Sequence, residues 1–93
     1  MSKPESYASV WDAIADTPEQ AANLRARADL MHKIVARLKK HHWTQAEAAS
    51  RCGVTQPRIN DLLRGRLSRF SLDALVSIAT ALGCRVRVDL DAA

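Results

Sequence analysis

Apolar residues recur along this chain with two different periods, and the change of period divides it. Leu24, Met31, Val35 and Leu38 follow steps of seven, four and three residues, and Leu30 and Ile34 widen the stripe. That spacing predicts an amphipathic helix running to about His41. Thr17-Pro18-Glu19-Gln20 supplies its start: Thr17 can cap, Pro18 suits the first turn, and Gln20 can complete a capping box. Thr44-Gln45-Ala46-Glu47 predicts a second capping box, opening a helix to about Arg51 that Gly53 ends. Thr55 opens a third, closing near Gly65. Ser71 caps a fourth, whose stripe is Leu72, Leu75, Ile78, Ala79 and Leu82, with Asp73 favoured near its start and Gly83 just past its end. Upstream, Ser9 to Ala15 predicts a further short helix with Val10, Trp11 and Ile14 on one side. After Gly83 the period falls to two. Cys84, Val86, Val88 and Leu90 alternate with Arg85, Arg87, Asp89 and Asp91, the pattern of a strand with one apolar face.

The third helix contains a proline, Pro57, in the stretch TQPRINDLLRG. With Thr55 as cap, Pro57 falls in the first turn, where a missing N–H has no intrahelical partner to lose. It therefore marks a helix start. It also disfavours α geometry at Gln56, which leaves the boundary open by a residue.

Ninety-three residues allow one domain, and a chain this short often gains stability by dimerising. Charge sharpens the picture. Residues 1–24 carry one lysine against four carboxylates, a net −3, while residues 25–88 carry thirteen Lys/Arg against four, a net +9. A basic middle of this density favours a polyanionic partner, most simply nucleic acid. No apolar run is long enough to span a membrane, and MSKPESYASVWDAIADT lacks the apolar block of a signal peptide. A cytoplasmic location is therefore expected, with Cys52 and Cys84 reduced and serving as small core residues.

Two short helices joined by a glycine-containing turn, between longer supporting helices, is the layout of a DNA-reading helix-turn-helix. TQAEAASRCGVTQPRINDLLRG resembles the phage-repressor-like (XRE) helix-turn-helix family. In that resemblance Gln45 begins the first helix and Ala49 is the small residue where the two helices cross. Gly53 is the turn, and Ile59 and Leu62 are buried positions of the recognition helix. A finer resemblance, carried by SVWDAIADTPEQAANLRARADLM, RFSLDALVSIATALG and the final alternating segment, is to the HigA-type antitoxins of this family. It implies an all-α, five-helix, lambda-repressor-like domain with a C-terminal β-strand paired across a homodimer. It also implies repression of the chain's own operon and neutralisation of a ribonuclease toxin of the HigB/RelE type. The same architecture occurs in regulators with no toxin beside them. The chain then divides into an arm over residues 1–16, a helix-turn-helix domain over 17–83 and a dimerisation strand with tail over 84–93.

In the recognition helix, Val54, Ile59, Leu62 and Leu63 can face inward, leaving Gln56, Arg58, Asn60 and Asp61 with groove-facing options. Gln and Asn can pair bidentately with adenine, and Arg with guanine or a phosphate. Asp61 can accept from a cytosine amino group, or instead orient Arg58 or Arg64 on the same helix face. Gln45, at a helix N-terminus, suits a phosphate. Thr55 and Pro57 complete the opening turn of the site. Arg64, Arg66, Ser68 and Arg69 follow the recognition helix, and the family resemblance implies that Arg66, Ser68 and Arg69 run beside the DNA backbone.

Two partner surfaces remain. A lone strand needs an edge to pair with, and the chain offers no second strand. Antiparallel pairing with another copy centred on Val88 sets Arg87 against Asp89 and Arg85 against Asp91, so Arg85, Val86, Arg87, Val88, Asp89 and Leu90 form the expected dimer interface. Pairing centred on Arg87 is the second choice. Such a dimer predicts a palindromic double-stranded operator. In the acidic N-terminus, Tyr7, Val10, Trp11 and Ile14 can dock a basic toxin, or pack on their own or a sister domain. Nothing resembles a Gly-rich phosphate loop or a nucleophile elbow, so no enzyme is expected. His32, His41 and His42 share no compact ligand spacing with Cys52 and Cys84, so no metal or cofactor is expected either. A module that binds only protein is the competing reading.

Overall fold

The computed structural model describes residues 16–92. Among these residues the chain forms four α-helices: α1 (Pro18–His41), α2 (Gln45–Cys52), α3 (Gln56–Leu63) and α4 (Leu72–Ala81). A 3-10 turn, Leu67–Arg69, lies between α3 and α4. The expected fifth helix at Ser9–Ala15 lies outside the described residues, as do Tyr7, Val10, Trp11 and Ile14.

Each helix starts on the predicted cap. The Thr17, Thr44, Thr55 and Ser71 side chains accept from the backbone N–H of Gln20, Glu47, Arg58 and Ala74. At α2 the capping box is complete, since the Glu47 carboxylate accepts from the Thr44 N–H at 2.9 Å. At α1 it is displaced by one residue: the Gln20 side chain accepts from Asp16, not from Thr17. Pro57 sits in the first turn of α3 behind Thr55, so it opens the helix without breaking it.

The ends of α2 and α3 share one geometry. Gly53 (φ 69°) and Gly65 (φ 70°) are both left-handed. In each case the residue after the glycine reaches back five positions, Val54 to the Ala49 carbonyl and Arg66 to the Asp61 carbonyl, both at 3.0 Å. This is a Schellman close, which uses carbonyls that the helix leaves unpaired. It turns the chain sharply after each short helix. Gly83 closes α4, which ends at Ala81, one residue before the last apolar residue of its stripe, Leu82.

Met31, Ile34 and Leu38 of α1, Ala48, Ala49 and Cys52 of α2, Ile59 and Leu62 of α3, and Leu75, Ile78 and Ala79 of α4 meet in one core with Phe70. α1 packs on α4, α3 and the 3-10 turn, while α2 packs on α3 and α4. The stripe of α1 centres on Ile34, with Leu30 and Val35 half-buried at its flanks, a small rotation from the expected register. Leu63, expected inward, is 36% exposed, at the last residue of α3.

The expected C-terminal β-strand is not formed. Residues 84–92 carry no regular secondary structure. Cys84 and Val86 lie against the core, but Val88 and Leu90 stand 87% and 98% exposed. The physical reason is that a strand is a property of a pair of backbones, and four helices offer no edge to pair with. No helix among the described residues is long and apolar enough to cross a membrane.

Candidate nucleic-acid interface

The site is built from α2, the turn at Gly53, α3 and the segment that follows it. Helices of eight residues are too short to hold themselves in water, so both depend on packing. Ala48 and Ala49 let α2 approach its neighbours closely, and Ile59 and Leu62 (both 0% exposed) anchor the inner face of α3. That leaves the outer surface of the pair polar. Gln45, Thr55, Gln56 and Pro57 are exposed there, and Asn60 is half-buried.

Arg58 behaves differently from its neighbours. Its guanidinium lies 4.1 Å from the centre of the Phe70 ring, and its Nη1 donates to the Arg69 carbonyl at 2.6 Å. A planar cation on an aromatic face, with one N–H group also bonded, is held in place. Arg58 therefore ties α3 to the segment that follows it and is half-buried.

Asp61 is turned inward. It is buried, and its carboxylate accepts from Arg69 Nη1 at 3.2 and 3.3 Å and from Arg66 Nη1 at 3.4 Å. The expected same-face bond to Arg58 or Arg64 is not made; the partners come from beyond the turn at Gly65. With both oxygens engaged, Asp61 has no side-chain acceptor aimed at a base edge. Arg64 and Ser68 are exposed on the same segment.

Sequence reasoning missed two contributors. Phe70 is 1% exposed and forms both part of the core and the seat for Arg58. Arg27 of α1 donates from Nη1 to the carbonyls of Leu67 and Phe70 at 3.4 and 3.3 Å. Those carbonyls belong to the first residue of the 3-10 turn and the residue just after it, so a side chain 40 and 43 positions away braces the arginine-bearing segment. The signal for Phe70 was present in the RFSLDAL run, as the last apolar residue before a capping serine. No local pattern marks Arg27, because its acceptors are backbone atoms distant in sequence.

A second aromatic group borders α2. His41 stacks on Trp43 at 4.0 Å between ring centres, and the Arg51 guanidinium lies 5.1 Å from the Trp43 ring. His42, between them, is left-handed at φ 56°. Glu47 is held below its ordinary carboxylate value, chiefly by the backbone N–H of Thr44, with the Thr44 side chain and Arg51 adding to it. Burial pushes the Cys52 thiol up, consistent with a core position, and Cys52 and Cys84 are both free thiols.

The arrangement can bind a polyanion through exposed arginines and can offer Gln56 and Asn60 to base edges. Among known families, one described as a helix-turn-helix domain matches residues 13–91. A comparison with curated proteins returns no match.

Proposed function

The chain belongs to the helix-turn-helix domain family, and from that premise we propose that it is a sequence-specific DNA-binding transcriptional regulator. The observation that carries this reading is the polar outer face of α2 and α3 continued by Arg64, Arg66, Ser68 and Arg69. Bases are read from the N-terminal half of α3 by Gln56 and Asn60, while Gln45, Arg66, Ser68 and Arg69 bind backbone phosphates. Arg58 acts by holding the segment in place. The chain binds and does not catalyse, and it works in the cytoplasm. Residues 17–83 are the DNA-binding unit.

The regulator acts as a homodimer. Exposed Val88 and Leu90, at every second position of the C-terminal segment, support pairing with the same segment of a second copy. Arg85 and Arg87 of one copy then face Asp91 and Asp89 of the other. Two recognition helices about 34 Å apart would read a palindrome one DNA turn in spacing. The resemblance to HigA-type antitoxins supports the finer reading that this regulator represses its own operon. The same resemblance supports neutralisation of a HigB/RelE-like ribonuclease toxin, docked on Tyr7, Val10, Trp11 and Ile14. Without a toxin beside it, the chain would serve as a stand-alone regulator of the XRE type.

A mobility-shift titration on the DNA upstream of the chain's own reading frame, against a scrambled duplex of equal length, tests the core of this proposal. The expected result is a shift at lower protein concentration on the upstream DNA. Gln56→Ala should reduce that preference by about 1–3 kcal/mol at one base position of each half-site. Equal affinity for both duplexes would overturn sequence-specific regulation.

A further inference from the structure

Among the described residues Asp61 is the only buried charged or polar side chain. A carboxylate taken out of water is unfavourable unless charges and hydrogen bonds meet it. The core beside it is apolar, and a leucine would fill the position with no such demand. What the carboxylate contributes is its grip on two cations at once. Arg66 and Arg69 converge on it from opposite ends of the 3-10 turn, and their side chains stay 39% and 55% exposed. Each guanidinium has five N–H donors and uses one nitrogen on Asp61. The remaining donors are left for a ligand.

The backbone beneath them is fixed as well. Arg58 holds the Arg69 carbonyl, and Arg27 holds those of Leu67 and Phe70. Exposed arginines ordinarily lose rotamer freedom when they bind, which weakens binding. Here that ordering is present before any ligand arrives. The carboxylate also lowers the local charge of the trio to a net +1. It thus restrains attraction for a randomly placed polyanion, while keeping two guanidiniums partly exposed.

We propose that Asp61 is a positioning residue that sets Arg66 and Arg69 as a paired clamp for a DNA backbone phosphate. This rests on the DNA-binding reading above. It makes specific binding depend on a side chain that touches no DNA, because a clamp of fixed geometry accepts the phosphate only when α3 is in register on the bases.

The test is a double-mutant cycle read by fluorescence anisotropy over a range of salt concentrations, using the upstream duplex and its scrambled counterpart. Asp61→Asn keeps the shape and removes the charge. It should weaken binding to the upstream duplex about tenfold, leaving affinity for the scrambled duplex unchanged or raised. In a background of Arg66→Gln with Arg69→Gln, which should itself reduce the slope of log K against log salt by ~0.9 per lost phosphate, Asp61→Asn should change neither affinity. Equal losses in both backgrounds would mean that Asp61 acts through the fold alone, and would overturn the proposal. So would no loss in either. If the parent protein does not discriminate between the duplexes, the DNA-binding reading fails first. Should Asp61→Asn not fold, NMR relaxation of the arginine Nε–H groups in the parent protein decides. Arg66 and Arg69 should be as ordered as the helix backbone; mobility equal to that of exposed Arg64 would overturn the clamp.

Discussion

Glu47 shows how much one exposed side chain can do for a short helix. It accepts from the Thr44 N–H while Thr44 accepts from its own N–H, so two otherwise unpaired donors at the start of α2 are satisfied together. Because these bonds favour the ionised carboxyl, its folded-state value lies below its ordinary one. The sign follows: the contribution is complete above the ordinary carboxylate range and is lost as pH falls through the lowered folded value. Glu47→Gln keeps the backbone bond and loses the charge. Thermal unfolding across acid pH should therefore show the parent more stable above that range, with the difference vanishing below it. A constant difference would assign the effect to shape and not to charge. This box was legible in TQAE because every atom in it lies within four residues. Asp61 was not: its nearest candidates by helix spacing were Arg58 and Arg64, but the turn at Gly65 swings Arg66 and Arg69 under it instead. Arg58 was read as a free groove residue for the same reason, since nothing local announces that Phe70 will lie beneath its guanidinium.

At the scale of elements, Gly65 fixes where the arginine-bearing segment begins. Its φ is 70°, and a Cβ placed on it would meet nothing within 4 Å. The demand for glycine is thus conformational and not steric crowding by neighbours. Gly65→Ala should cost about 1–2 kcal/mol in urea unfolding, and should weaken DNA binding further by displacing Arg66, the residue whose N–H closes the turn. An unchanged unfolding midpoint would show that the turn adapts. The helices themselves were readable because starts and stops are chemical signals: four capping hydroxyls and the closing glycines stand where the periodicity breaks. The alternation from Cys84 to Leu90 was equally visible, and its first half does follow the pattern, with Cys84 and Val86 inward. What alternation cannot supply is a partner edge, so an extended segment, and not a strand, is what one chain makes of it.

For the whole molecule, the division of labour between core and tail is testable. Val88 and Leu90 bury almost nothing against the domain, whereas Val86 packs on it. Ending the chain after Arg87 should leave the urea midpoint at low protein concentration unchanged. Under the proposed pairing it should also convert the sedimenting species from dimer to monomer and broaden the concentration dependence of DNA binding. A truncated chain that still sediments as a dimer would move the interface elsewhere.

The brace from Arg27 also bears on how the molecule shares its rigidity. α2 and α3 are neighbours in sequence, and their contacts close short loops. The bonds from Arg27 to Leu67 and Phe70 close loops of 40 and 43 positions. Closing a longer loop costs more chain entropy, and one hydrogen bond contributes only about 1 kcal/mol, so the brace holds only while α1 stays packed on the core. The shape of the arginine-bearing segment is therefore lent by a helix distant in sequence: loosening α1 would release that segment even where α2 and α3 kept their contacts with each other.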